Sequence, residues 1–514
     1  GFEARGVALP IPRGVIGELT ATNSGLVYVR RPARGVDGAP KVCLASSDEW
    51  DEVTIIEGVG GYGVTGDGSK LFVMSRGRLG FVSIAAGQSL TDPLDLSGLV
   101  AHVDPRAEWE QMLVETWRLF RDYFYDESMH GLDWPAVLER YKGALADATS
   151  REDLAFLTGE MMAELNVGHA YNGRAPSRGP DAPDGPSAGL LGADFERVGD
   201  HLVVSRLIRG GSYDTDARGP LAHTKVEAGH ALIAVNGTPV DPDRAVHAAM
   251  LGTAGRTTQL TFASDPADVE GTSYDVVVEP LGDETALRYR DWVDAKRAYV
   301  YELSDGKVGY VHVPDTGGNG QNELMRQIQG AMHRDALLVD ERWNGGGQIP
   351  TRFVELLDRP LTNKWGVRHG DDWVWPPDGH FGPKAMLING WSGSGGDAFP
   401  YYFRQRGLGQ LFGRRTWGGL VGLTGNPSLI DGTNHSIPTF GFYELDGTWG
   451  IEGHGVDPDV EVIDDPAALA RGEDPQLEAA VRHLLEELER APAIDPARPA
   501  APDRSGSGIT EEDR

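Results

Sequence analysis

Three glycine-rich junctions follow apolar runs in the C-terminal half of the chain: Asn344-Gly345-Gly346-Gly347, Trp391-Ser392-Gly393-Ser394-Gly395-Gly396-Asp397 and Trp417-Gly418-Gly419. Open α/β sheets bind ligands at the C-terminal ends of their strands, so all three are candidate site segments. The second is the most informative. The run KAMLIN precedes it and DAFPYYFRQR follows it, which predicts strand, tight turn and helix with Ser394 on the turn. A hydroxyl there projects into a cleft, and the flanking glycines permit both the turn and close approach of a substrate. The helix N-terminus adds free N–H groups and a positive dipole end, which favour a developing oxyanion. The Gly347 N–H, at a neighbouring strand end, is a second candidate donor. Ser392 and Ser394 also satisfy a plainer reading as turn and N-cap residues. A serine nucleophile needs a base. The chain has 14 histidines, and spacing alone selects none of them.

The elements that must position these groups fall into blocks. Residues 1–103 read as short strands separated by turn signals such as GDGSK and SRGRLG, which suits the last blades of a β-propeller entered part-way along. From 104 to 174 the period becomes helical. Trp109, Met112, Leu113, Thr116, Trp117 and Phe120 form one stripe; Trp134, Val137, Leu138, Tyr141 and Leu145 form a second. A third helix is capped by Ser150 and Asp153. A linker rich in Pro, Gly and Asp, 174–187, leads to a β-domain over 187–282 with a hairpin turning at Asn236-Gly237. This domain resembles PDZ modules, with the Gly189–Gly192 loop where such modules hold a peptide carboxylate on backbone N–H groups. Residues 283–490 alternate apolar strands with helices, as in a buried, mainly parallel sheet. The segment 491–514 has no periodicity and reads as a disordered tail. The expected fold class is therefore mixed α/β and β.

Composition excludes several functions. A net charge of −30 leaves no basic surface for nucleic acid. No run of 18 apolar residues and no signal-like start occur, which predicts no membrane span and a cytoplasmic protein. With Cys43 as the single cysteine, thiolate metal clusters and internal disulfides are ruled out. The histidines are scattered without an HExxH motif, so neither metal nor cofactor is expected.

DPRAEWEQMLVETWRLFRDYFYDESMHGLDWPAVLERY and GHAYNG resemble the first catalytic subdomain of the tricorn protease family. LRYRDWVDAKRAYV, VDERWNGGGQ, GSGGDAFPYYFR, GRRTWGGLVG and EGHGVDPDVEV resemble its second, so the likeness covers about 104–488. The resemblance implies a serine peptidase acting on oligopeptides and unfolded segments. Ser394 would be the nucleophile, His169 the general base, Glu452 the acid on the histidine side, and the Gly347 and Gly395 N–H groups the oxyanion hole. It further implies a homo-oligomer, a hexamer in the family, and downstream aminopeptidases as partners. Three positions depart from the family pattern. Gly168 stands where a serine usually precedes the histidine, leaving room for a water between His169 and Glu452. Gly395 replaces an acidic residue, at little cost if only its N–H is used. The acidic selector for basic side chains falls, by ungapped spacing, on Trp365, so apolar side chains are expected before the cut.

Two rival readings stand beside this one. A Ser–Lys carboxyl-terminal processing peptidase would need a lysine at the third junction, which reads Gly418-Gly419 instead. A catalytically dead peptide-binding scaffold would account for Gly168.

Overall fold

In the computed structural model the described residues are 9–33, 38–48, 50–100, 102–173, 185–211, 214, 217–348, 350–490, 496–501 and 511–513. Most of the expected linker and most of the expected tail lie outside them. The chain divides into two compact units, Gly1–Asp104 and Pro105–Arg514.

The first unit is all-β. Val15–Thr22, Gly25–Arg31, Lys41–Ser46 and Glu52–Glu57 form a four-stranded antiparallel meander; Tyr62–Val64, Lys70–Ser75 and Arg78–Ser83 form a three-stranded one. The last hairpin turns on Arg76 and Gly77, both with positive φ, the geometry that matches strand twist. Period-2 alternation sends Val27, Val29 and Val42 to one core and Tyr28, Cys43 and Ala45 to the opposite face.

The second unit begins with helices Pro105–Tyr123, Trp134–Leu145 and Arg151–Ala163. Ser150 and Asp153 form the expected reciprocal cap on the third. The first two are locked by a mutual indole pair: Trp117 Nε1 donates to the Trp134 carbonyl at 2.8 Å and Trp134 Nε1 to the Trp117 carbonyl at 3.1 Å. Trp134 thereby buries its ring, and Trp117 part of its own, without leaving either N–H unpaired.

The β-domain carries a six-stranded antiparallel sheet, with strands Ala193–Val198 and Ser273–Val278 at its two ends. Its expected hairpin is present, Asn236 and Gly237 both taking positive φ. The glycine loop differs from expectation. Gly189 N–H donates to the Met250 carbonyl at 2.9 Å and Leu190 N–H to the Leu281 carbonyl at 2.8 Å. Gly192 N–H donates to Glu284 Oε2 at 2.9 Å. The loop's donors are thus largely spent inside the chain.

The remaining residues build a five-stranded, all-parallel sheet in the order Val308–His312, Ala336–Asp340, Lys384–Ile388, Gly409–Gly413, Val460–Glu461. Alternate residues face opposite helical layers. Leu337, Val339 and Met386 meet Leu324, Phe353 and Phe399 on one side; Leu338, Leu387 and Phe412 meet Val293, Val300 and Leu477 on the other. Both faces are covered, which is why these strands read as unbroken apolar runs. The Arg342 guanidinium lies buried below the strand ends, paired with Asp340 and Asp474 at 2.7 and 3.0 Å. Truncating one partner of such a group costs about 3–5 kcal/mol. No helix among the described residues is long and apolar enough to cross a membrane.

Candidate active site

Ser394 sits on the turn between strand Lys384–Ile388 and helix Gly395–Gln405, as N-cap of that helix. Its backbone is strained, at φ 59° and ψ −115°. The strain is held by Asp397, whose buried carboxylate accepts from the Ser394 N–H at 2.7 Å, Gly418 N–H at 2.8 Å, Gly419 N–H at 3.2 Å and Thr416 Oγ1 at 2.5 Å. Asp397 therefore ties the serine turn to the third glycine junction. Burial pushes its carboxyl above the ordinary range while these donors pull it back. The other segments meeting here are strained too: His169, Trp343 and Ile451 all have positive φ. For a β-branched residue such as Ile451 this is a genuine outlier, and such strain gathers at functional sites.

The first junction packs against the serine turn. A Cβ on Gly346 would lie 2.8 Å from Ser394 Cβ and 2.8 Å from the Gly393 carbonyl oxygen. One on Gly395 would lie 2.0 Å from Thr316 Oγ1 and 2.7 Å from Gly347 N. The backbones of Gly347 and Gly395 are thus neighbours. Among the described residues neither of their N–H groups has a hydrogen-bond acceptor. Glycine at 395 is also required sterically, because Thr316 and Gly347 fill the space a side chain would need.

His169 follows the third helix, on a loop sewn to residues 431–436. Ser436 N–H donates to the Tyr171 carbonyl at 2.9 Å, Gly173 N–H to His435 Nδ1 at 3.0 Å, and Arg151 pairs with Asp431 at 2.9 Å. The imidazole packs edge-on against Trp417 and Tyr171, with centroids 5.6 and 5.8 Å apart. Burial lowers its pKa below the usual histidine value, against an upward pull from the Glu452 charge. Its Nδ1 is buried without a hydrogen-bond partner among the described residues.

Glu452 does not bond the imidazole. Its Oε1 accepts from the Gly168 N–H at 2.7 Å, and its Oε2 from the Leu420 and Val421 N–H groups at 2.6 and 2.9 Å. The space expected beside Gly168 is filled as well: a Cβ there would stand 3.0 Å from Glu452 Oε1 and 3.0 Å from Gly419 Cα. Glu452 thus holds the backbone immediately before His169 instead of reaching its ring.

Ser394 and His169 line one cleft of about 370 Å³, walled by Tyr171, Trp391, Trp417 and Asn344. Tyr171, Trp391 and Trp417 are the lining residues that sequence reasoning did not single out. Two of them open glycine junctions, so the signal was present in the motifs themselves. Trp365 is not among the lining residues. It lies half exposed on the hairpin Asn363–Trp365/Trp373–Trp375, stacked on Trp373 at 5.6 Å. His454 lines an adjoining cavity of about 690 Å³, where its Nε2 lies 2.7 Å from Asp457.

Residues 307–462, which carry Ser394 and all of the cleft lining except His169 and Tyr171, match peptidase family S41, so this part of the chain is a serine-type peptidase domain. Residues 105–163 match the tricorn protease C1 domain and 189–283 the tricorn protease PDZ domain. The chain thus carries a tricorn-type C1 domain, a tricorn-type PDZ domain and an S41 peptidase domain, one after another. It is 36% identical over 517 residues to tricorn protease homolog 1 of Streptomyces coelicolor, an alignment covering 96% of this chain and 48% of that protein. With the tricorn protease of Thermoplasma acidophilum it shares 32% identity over 396 residues, 76% of this chain and 36% of the relative. The crystal structure of the tricorn protease superposes with a TM-score of 0.79 at 27% identity, covering 93% of this chain and 47% of that one. The chain therefore spans about half the length, or less, of these relatives.

Proposed function

We propose that this chain is the catalytic half of a tricorn-type peptidase that hydrolyses oligopeptides and unfolded segments through an acyl-enzyme on Ser394. His169 takes the Ser394 proton as the hydroxyl attacks the scissile carbonyl, and returns it to the departing amine. The oxyanion lies against the N–H groups of Gly347 and Gly395. A water activated by the same imidazole then releases the acyl group. Glu452 stabilises the imidazolium at a distance and holds the Gly168–His169 backbone. The carrying observation is the cleft that has Ser394 and His169 on its walls, with two unclaimed N–H groups beside the serine.

The cleft's aromatic walls support apolar side chains before the cut, a role moved from Trp365 to Tyr171, Trp391 and Trp417. The first unit is read as the end of a propeller, and the working particle as a cytoplasmic homo-oligomer, a hexamer on the family pattern, passing products to aminopeptidases. The test is hydrolysis of a fluorogenic peptide library by the wild type and Ser394→Ala side by side. Turnover abolished in the variant, with its fold retained, is expected; equal turnover refutes the assignment and favours a peptide-binding scaffold.

A further inference from the structure

The β-domain has a groove of its own that shares no lining residue with the cleft. It holds about 300 Å³ and runs between strand Ala193–Val198 and the short helix Val246–Ala249, lined by Leu191, Phe195, Val246 and Met250, with Glu284 and Arg288 also on its walls. Strand Ala193–Val198 is an edge of its sheet, paired on one side only by His201–Leu207. An edge strand beside an apolar groove is the geometry that adds an extended peptide as a further strand. Modules of this shape fix the peptide's terminal carboxylate on the N–H groups of the loop before that strand.

Here a carboxylate is already in that loop, and it belongs to the chain. Glu284 Oε2 accepts from the Gly192 N–H at 2.9 Å. Glu284 Oε1 takes Arg288 Nε at 2.5 Å, and Arg288 also pairs with Asp194 at 2.8 Å. The Glu284 side chain is only 13% exposed. As N-cap residue of helix Thr285–Leu303 it makes no capping bond, so its carboxylate is not serving the helix start.

We propose that Glu284 is an internal occupant of a site for a free peptide C-terminus with an apolar last residue. While Glu284 is seated, an incoming carboxylate finds the Gly192 donor taken and meets a like charge. When it leaves, the donor and the Arg288 guanidinium both become available to the peptide. Glu284 leads directly into a helix whose Val293 and Val300 share a buried cluster with Val308 and Tyr310 of the parallel sheet. This inference is independent of the proposed chemistry at Ser394.

Binding is measured by fluorescence anisotropy on a Ser394→Ala background, with the probes confirmed intact by mass spectrometry after each reading. The probes are labelled decapeptides of randomised interior ending in leucine, as free acid and as amide. The parent is expected to bind both forms weakly and alike. Adding Glu284→Ser, which suits the helix start, tightens the free acid about 10-fold, equivalent to about 1.4 kcal/mol, and leaves the amide unchanged. Adding Arg288→Ala to that variant removes the gain. Glu284→Gln, which keeps the side chain's shape, gives a smaller gain of the same sign and serves if the serine variant loses its thermal transition. Equal tightening of both forms, no tightening in either variant, or a parent that already prefers the acid overturns the proposal.

Discussion

Replacing Glu452 by glutamine keeps the side chain's shape while removing one charge and one acceptor. Two donors, the Leu420 and Val421 N–H groups, converge on Oε2, whereas Oε1 has the Gly168 N–H alone. The amide oxygen therefore stays with the pair, and its NH2 is turned toward the Gly168 N–H, donor against donor. Losing one hydrogen bond to a charged group costs about 1.5–3 kcal/mol, and the loss falls on the backbone immediately before His169. The imidazolium formed in the transition state also loses its nearby countercharge. Together these predict a fall in kcat/KM of roughly 30- to 1000-fold, about 2–4 kcal/mol. The pH profile separates the two effects. Burial lowers the His169 pKa and the Glu452 charge raises it, so Glu452→Gln lowers it further. Because the base works when neutral, the acid limb of kcat/KM must move to lower pH while the plateau drops. Assayed with a fluorogenic peptide between pH 4 and 9 (an assay range of roughly the histidine region), an unchanged plateau refutes the reasoning. A lowered plateau with an unmoved acid limb shows that Glu452 is a backbone staple without electrostatic influence on the base.

Gly395→Ala forces a methyl to within 2.0 Å of Thr316 Oγ1 and 2.5 Å of the Gly347 carbonyl oxygen. It should displace a proposed oxyanion donor and cost about 10²–10³ in kcat, with KM little changed; activity within a few-fold of wild type would remove Gly395 from that role. Peptides with Phe or Leu before the scissile bond should show higher kcat/KM than Arg equivalents, because no acid among the described residues lines the cleft and an apolar side chain gains about 1.5–3 kcal/mol on burial. A salt-sensitive preference for Arg would contradict this.

Local order made part of the fold legible. The unbroken apolar runs of 308–312, 336–340 and 384–388 reflect a sheet covered on both faces, and the Ser150–Asp153 cap and the Asn236–Gly237 turn depend on neighbours a few residues apart. The serine turn was readable for the same reason. His169 was not: its approach to Ser394 depends on a loop fastened to residues 431–436, a long-range arrangement that only family resemblance could supply. Ungapped spacing from Gly347 toward Ser394 points to Trp365, but that stretch contains a helix and a separate hairpin, and Trp365 on the hairpin is not among the residues lining the cleft. The bonds of Glu452 go to backbone N–H groups, that of Gly168 among them, which no pattern of side chains announces.

The central claim is that Ser394 is an activated nucleophile, and labelling with a fluorophosphonate followed by peptide mass spectrometry tests it most directly. The account predicts a single adduct on Ser394 in the wild type, strongly slowed in His169→Ala and absent in Ser394→Ala. An unlabelled wild type that retains its fold, or an adduct on another serine with Ser394 unmodified, would contradict it.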